Sequence, residues 1–418
     1  MNEIILQGRR TLEGTLAVQG AKNSVLPVLA ATLLHPGQTV LHRCPRLSDV
    51  DASIRILHHL GCRASWSGDD LIVDTADMKR GDIPEQLMRE MRSSVIFLGA
   101  ILARLGWAEL SYPGGCELGP RPIDLHLSAL RTLGAEIAEE GGILRCRAPH
   151  LTGREIILRL SSVGATENAI LAACGAEGET VILNAAREPE ICDLQEYLCA
   201  IGCAVRGAGS STICVAGRKR THDAAHTIMP DRIVAATYLA AVAAAGGEVE
   251  LTQVNCRHLS TMTAALHEAG CRIVGEEQRI VLQSTGELRA IGMVRTAPYP
   301  GFPTDAQAIL MAALAASKGA TVFVENIFEN RYRHVDELCR MGADIRVADR
   351  VAVVTGVERL HGARVRAMDL RGGAALMVAA LAAQGESAIS GLSYIRRGYE
   401  DPVRDLRALG AEIRWKNE

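Results

Sequence analysis

The sequence predicts a mixed α/β fold made of six repeated units of about 70 residues, gathered in two sets of three. Three observations carry this. A tripeptide of the type Leu-Gly-Cys or Leu-Gly-Ala recurs six times, with glycines at 61, 134, 202, 270, 342 and 410. Alanine-rich apolar stretches recur in the same rhythm, and short β-branched runs lie between them. The glycines are 73, 68, 68, 72 and 68 residues apart, so the repeat accounts for the whole 418-residue chain.

The first element of each unit is apolar on nearly every side, at residues 25–34, 95–105, 169–176, 234–245, 308–316 and 374–383. Such a helix is buried all round, and its alanines let neighbours approach closely. Next come runs such as Thr180-Val-Ile-Leu and Ala320-Thr-Val-Phe-Val, which read as strands. A second helix then carries a single apolar stripe, for example Ile123, Leu127 and Leu130 with Asp124, Ser128 and Arg131 elsewhere, and so lies at a boundary. The repeated glycine ends it, because glycine adopts the left-handed conformation without a Cβ clash and turns the chain into the following strand. Each unit therefore reads helix, strand, helix, strand, with further strand at the joins. Near-identical buried helices favour closed groups with helices shared inside and sheets outside. Pro230, after the polar stretch 218–226, stands near the midpoint and marks the boundary between the two sets.

Composition narrows the function. With 48% hydrophobic, 22% charged and 3% aromatic residues the chain is globular rather than disordered. Lysine and arginine number 45 against 48 acids, so nothing general favours nucleic acid or an anionic membrane. The longest apolar runs, such as 234–245, fall short of the roughly 20 residues a membrane span needs. The start, Met1-Asn-Glu-Ile-Ile-Leu-Gln-Gly-Arg-Arg, is charged too early for a signal peptide, so a cytoplasmic protein is expected. Twelve cysteines form no C-x-x-C pair and no zinc-ligand spacing. Reduced thiols are expected, eleven of them as packing groups, including Cys62, Cys174, Cys203 and Cys271. Neither a metal nor a cofactor is expected.

The starts of the apolar helices are polar. Lys22, Arg92, Ser162, Arg232, Asp305 and Arg371 stand there, separated by 70, 70, 70, 73 and 66 residues. Unpaired N–H groups and the positive end of the helix dipole suit phosphate or carboxylate ligands, and four of the six positions add a cation. Solvated helix starts are the plain alternative, but the dipole disfavours Lys and Arg there unless an anion compensates. An anionic substrate held between two domains is expected. Cys116 differs from the other cysteines in its setting, Tyr112-Pro-Gly-Gly-Cys-Glu-Leu-Gly-Pro-Arg-Pro-Ile-Asp-Leu-His126, a turn-rich and therefore exposed loop. Arg121 and other cations would favour its thiolate; a structural loop cysteine is the alternative.

That loop, taken with Gly-Ala-Lys22-Asn23, Ser162-Val-Gly-Ala-Thr166, Ala-Ala-Arg187-Glu-Pro-Glu190, Pro-Asp231-Arg232, Phe-Pro-Thr-Asp305, Phe-Glu-Asn-Arg331, Asp369-Leu-Arg371 and Arg397-Gly-Tyr399, resembles the UDP-N-acetylglucosamine 1-carboxyvinyltransferase family of enolpyruvyl transferases along the entire chain. The resemblance implies an inside-out α/β barrel fold of two domains, three repeats each, with ligands in the cleft. Residues 22–229 would form the domain carrying the cysteine loop, and residues 1–21 with 230–418 the other. It also implies an activity: transfer of the enolpyruvyl group of phosphoenolpyruvate to the 3′-hydroxyl of UDP-N-acetylglucosamine with release of phosphate, the first committed step of peptidoglycan precursor synthesis. Addition at C2 of phosphoenolpyruvate needs an acid for C3, a base for the sugar hydroxyl and cations for the anionic groups.

Carried over residue by residue, the resemblance makes Cys116 the proton donor, able to form a covalent adduct, and Asp305 the base. Lys22, Arg121 and Arg397 would bind the phosphate, with Arg331 and Arg371 near the carboxylate and Asn23 against phosphoenolpyruvate or the tetrahedral intermediate. Arg121, Pro122, Ile123, Asp124 and Leu125, the turn of Ser162, Val163 and Gly164, and Ile327 would meet the nucleotide sugar. Arg92 resembles a substrate-contact position, and Asp369 would steer the Cys116 loop. Covalent inhibition by fosfomycin at Cys116 is implied too. Helix capping is the rival role for Asp305 and Asp369. His126 is read as structural or as orienting ligand phosphate, and Arg232 as packing or hinge. Two positions depart from the family pattern: Tyr394-Ile-Arg396 replaces His-x-Asp, and Leu160 with Ser161 stands where relatives carry a lysine. Competing readings are enolpyruvylshikimate phosphate synthase, whose Gly-Asn-Ala-Gly-Thr element is missing, a non-catalytic nucleotide-sugar-binding paralogue that regulates a partner, and a cysteine hydrolase, for which no histidine and carboxamide pair is apparent.

Overall fold

The computed structural model describes residues 3–112 and 123–416, apart from the side chain of Arg92. They form six four-stranded sheets of one design. In the third repeat Glu155–Ile157 runs parallel to Glu179–Leu183, which pairs antiparallel with Thr212–Ala216, itself antiparallel to Ala204–Arg206. The same order of one parallel and two antiparallel pairings holds in the other five. Alternate residues of the central strands are buried, Thr180 and Ile182 in one, Thr321 and Phe323 in another. Each sheet thus lays one face on helices and shows the other to solvent.

In five repeats the second helix is followed by a two-stranded hairpin rather than a single strand, as at Arg63–Ser67 and Asp70–Asp74; in the last it is followed by Glu412–Trp415 alone, which pairs with the N-terminal strand Ile4–Gln7. The first strand of these hairpins buries no residue fully in three repeats, at Arg63–Ser67, Glu136–Glu140 and Arg272–Glu276, so its sequence carries no apolar alternation.

All six repeated glycines are left-handed, with φ of 95, 101, 98, 113, 91 and 85°. Around each, the glycine N–H bonds the carbonyl three residues back and the next N–H bonds the carbonyl five residues back, as in Gly61 to His58 and Cys62 to Leu57. This is the Schellman arrangement, which satisfies carbonyls left over at a helix end. The carbonyl just before each glycine receives an N–H from outside its helix, from further along the chain in five repeats, as Lys79 to Leu60, and from the N-terminal segment in the last, Glu13 to Leu409.

The apolar helices, Lys22–Ala31, Phe97–Leu105, Val163–Cys174, Arg232–Ala245, Thr304–Leu314 and Leu370–Ala382, are the cores of two compact units. One unit comprises residues 20–112 and 123–229, the other residues 3–19 and 230–416, and each has its own hydrophobic cluster. In the latter, the last three of these helices pack against one another. The N-terminal segment completes two of its sheets: Ile4–Gln7 lies between Glu386–Ser390 and Glu412–Trp415, and Leu12–Ala17 runs beside Gly247–Thr252. In the former unit Ala224–Thr227 returns to pair with Gln38–His42.

The eleven described cysteines are free thiols. Burial pushes Cys62 up to about 12 and Cys146 up to about 11, which keeps both protonated. The packing role expected for all eleven needs correcting at Cys199 and Cys339, which are exposed. Both stand three residues before a helix-ending glycine and direct their thiols at carbonyls of the next strand, those of Val205 and Ile345. His58 and Arg407 do the same in other repeats, toward Ala64 and Ile413. Among the described residues no helix is long and apolar enough to cross a membrane.

Candidate active site

In the unit of residues 3–19 and 230–416, the starts of two core helices meet. Asp305 is the second residue of Thr304–Leu314, and its side chain does not cap that helix. Its Oδ1 accepts from Arg331 Nη2 and its Oδ2 from Arg371 Nη2, both at 3.0 Å. The two guanidinium groups are buried, whereas the carboxylate is 28% exposed. Burial works against the charge on Arg371, but Asp305, Tyr399 and Asp231 outweigh it and raise its pKa. Tyr399 lies close by, yet Arg371 Nε and Nη1 make no hydrogen bond of acceptable geometry with protein. Buried donors of that kind need an acceptor. Asp305 lies between two guanidinium groups, with the carboxylates of Asp231 and Asp369 also close to Arg371.

Asp369 does cap its helix: Oδ1 accepts from Arg371 N and Gly372 N at 3.0 Å, which fixes the backbone that carries Arg371. Buried His334 lies beside it, pushed down to about 4 by burial against the pull of Asp369, and so stays neutral. Ile327 is exposed, on a turn whose amides are held by Glu325. Arg397 follows the helical turn Leu392–Ile395. Arg396, the departure from the family pattern, lays its guanidinium over Trp415 at 5.5 Å, and Arg232 lays its own over Tyr299 at 5.7 Å.

In the unit of residues 20–112 and 123–229, Lys22 opens its helix and pairs with buried Asp49 at 2.9 Å. Asn23 follows, then Ser24, which donates to Asp193, a buried carboxylate that also meets His226. Ser162 caps Val163–Cys174 by accepting from Ala165 N. A Cβ on Gly164 would lie 2.9 Å from His126 Cε1, so a larger residue there would have to displace that buried ring. His126 Nδ1 accepts from Asn168 at 2.7 Å, and burial holds the ring down at about 4 despite Asp124. Its proton therefore sits on Nε2. Ile123 is buried, Leu125 half-buried, and exposed Asp124 pairs with exposed Arg159 at 2.7 Å. Leu160, beside the Ser162 turn, is 71% exposed. Arg92 opens the short 3₁₀ stretch Arg92–Ile96. Cys116, Arg121 and Pro122 lie outside the described residues.

Asp305, Arg331, Asp369 and Arg371 thus come together in one unit, and Ser162, Val163, Gly164 and the stretch 123–125 in the other, around His126. Sequence reading missed Asp49, Glu325, His334 and Asn168. Asp49 looks like an ordinary acid in a first helical turn, while Asn168, His334 and Glu325 each have a telling partner far along the chain, His126, Asp369 and Thr304.

Comparison with known proteins bears on this arrangement. The family model described as EPSP synthase (3-phosphoshikimate 1-carboxyvinyltransferase) matches residues 6–406. A UDP-N-acetylglucosamine 1-carboxyvinyltransferase 2 of Caldanaerobacter subterraneus subsp. tengcongensis is 48% identical over 99% of both chains. The UDP-N-acetylglucosamine 1-carboxyvinyltransferase of Zymomonas mobilis subsp. mobilis is 47% identical, again over 99% of each. Among solved structures, the enolpyruvyl transferase NikO from Streptomyces tendae has a TM-score of 0.88 over 99% of both chains at 24% identity, a likeness of fold. Near half identity along the full length decides the grouping: the chain belongs to the UDP-N-acetylglucosamine 1-carboxyvinyltransferases of the EPSP synthase family, with its inside-out α/β fold of six repeats.

Proposed function

We propose that this chain transfers the enolpyruvyl group of phosphoenolpyruvate to the 3′-hydroxyl of UDP-N-acetylglucosamine, releasing phosphate by addition and elimination, in the cytoplasm, as the first committed step toward peptidoglycan. The observation that carries it is the Asp305 carboxylate set between Arg331 and Arg371, the latter with two buried N–H groups unmatched by protein acceptors. The substrate carboxylate supplies the acceptor. As it draws the guanidinium groups toward itself, an Asp305 oxygen is released to take the proton of the sugar hydroxyl. Cys116 gives a proton to C3, and Lys22, Arg121 and Arg397 hold the phosphate as C2 becomes tetrahedral. Asn23 contacts the same substrate. Arg121, Pro122, Ile123, Asp124, Leu125, Ser162, Val163, Gly164 and Ile327 hold the nucleotide sugar, Arg92 is a further substrate contact, and Asp369 fixes Arg371 and steers the Cys116 loop. Residues 22–229, and residues 1–21 with 230–418, serve as the two functional domains.

The test is phosphate release. Wild-type protein is expected to free phosphate from phosphoenolpyruvate only when UDP-N-acetylglucosamine is present, and Cys116→Ala to lose at least a hundredfold of that rate, the scale of a missing general acid. Fosfomycin is expected to inactivate the wild type with a mass increase on the peptide containing Cys116. Release that ignores the sugar nucleotide, or full activity of Cys116→Ala, would refute the reading.

A further inference from the structure

We propose that Glu325 is a positioning residue whose single carboxylate sets both the turn bearing Ile327 and the helix start bearing Asp305; the inference rests on the enolpyruvyl-transfer reading. Glu325 is 0% exposed. Its Oε1 accepts from Ile327 N at 2.8 Å and Phe328 N at 3.0 Å, and its Oε2 accepts from Thr304 Oγ1 at 2.9 Å. The carbonyl of Thr304 then receives Arg331 Nε and Nη2 at 3.3 and 2.9 Å, and Nη2 reaches Asp305 Oδ1. Continuous hydrogen bonds thus run from the amide of Ile327 to the carboxylate of Asp305. A buried carboxylate is retained only where donors replace its water, and three do so here.

The fold alone does not call for this residue. The equivalent position, directly after the central strand, is held in other repeats by Arg43, Asn184, Gln253 and Gly391, which turn the chain in the left-handed conformation with φ of 54, 56, 54 and 79°. Glu325 is not among the left-handed residues. This repeat lacks the left-handed turn found in four of the others and buries a charge to hold its own turn, and it is the one that bears Asp305 and Ile327.

The two oxygens have separable duties, and steady-state kinetics reads them apart. Thr304→Val removes the donor to Oε2 and is expected to lower kcat roughly tenfold to a hundredfold, the cost of a misplaced reacting group, with KM for UDP-N-acetylglucosamine little changed. Thr304→Ser keeps the hydroxyl and is expected to restore kcat to within about twofold. Glu325→Ala frees the turn as well and is expected to raise KM for UDP-N-acetylglucosamine in addition to lowering kcat. The double variant Glu325→Ala/Thr304→Val is expected to show no more loss in kcat than Glu325→Ala alone, since both remove one link. Wild-type kcat in Thr304→Val, failure of Thr304→Ser to rescue, or additive losses in the double variant would overturn the inference while leaving the enolpyruvyl-transfer reading intact. A wild type that transfers no enolpyruvyl group would overturn both.

Discussion

Two aspartates at equivalent helix starts do different work, and their side-chain partners show it. Asp369 spends one oxygen on the amides of Arg371 and Gly372, as a capping residue does, whereas Asp305 turns away from its own helix and takes two guanidinium groups. Either could have been a cap from sequence alone. The forked geometry at Asp305 depends on a planar, permanently charged donor: Arg371 uses one Nη on Asp305, and in the proposed function Nε and Nη1 meet the substrate carboxylate. Lysine in that place would supply a point charge on a shorter reach. Arg371→Lys is therefore expected to raise KM for phosphoenolpyruvate at least tenfold, the scale of one lost charge-assisted hydrogen bond, with KM for UDP-N-acetylglucosamine within about twofold of wild type. Steady-state titration of each substrate checks this; equal rises in both constants would point to general disturbance of the fold instead.

At the scale of elements, the six helix ends follow one rule but are not equally crowded. A Cβ on Gly202, at φ of 98°, would sit 2.7 Å from the carbonyl oxygen of Arg220, whereas at Gly270, at φ of 113°, it would meet nothing within 4 Å. Gly270→Ala is expected to cost about 1 kcal/mol for the left-handed backbone, and Gly202→Ala about 2–3 kcal/mol because the backbone must also move. Urea unfolding of the two variants checks the order, and a smaller loss at Gly202 would contradict the role of the close carbonyl. These ends were legible in the sequence because everything that defines them lies within six residues. The solvent-edge strands were not, since Arg63–Ser67 and Glu136–Glu140 offer no contrast between buried and exposed positions. The site shows the same division. Lys22, Ser162, Asp305 and Arg371 were visible through their even spacing at helix starts, but Glu325 and Asp49 become meaningful only once folding has brought Thr304 and Lys22 to them.

For the molecule as a whole, buried titrating groups set how stability follows pH, and they pull in opposite directions. His126 and His334, one in each compact unit, are held by burial at about 4, below the 6.5 of an ordinary imidazole. Unfolding frees them to take up protons between pH 6.5 and 4, so the unfolded state binds more protons there and stability is lost as the pH falls through that window. Glu167 acts the other way. Burial, and then the charges of Glu190 and Glu188, raise its carboxyl well above the ordinary 4.5. Its folded form keeps a proton that the unfolded form gives up, so its contribution is fully present below pH 4.5 and is lost as the pH rises above that value. Each unit has its own core, and Glu167 belongs to the unit of residues 20–112 and 123–229, which also contains His126. Replacing it by glutamine supplies the shape of the protonated acid without the ionisation. Glu167→Gln is accordingly expected to unfold at higher urea concentration than wild type at pH 8, with the gap narrowing steadily toward pH 4.5 and closing below it. The measurement is a pair of urea curves at pH 4, 6 and 8, followed by a probe placed in that unit. A gap that stays constant across the three pH values would mean that the carboxyl does not hold a raised pKa in the folded protein.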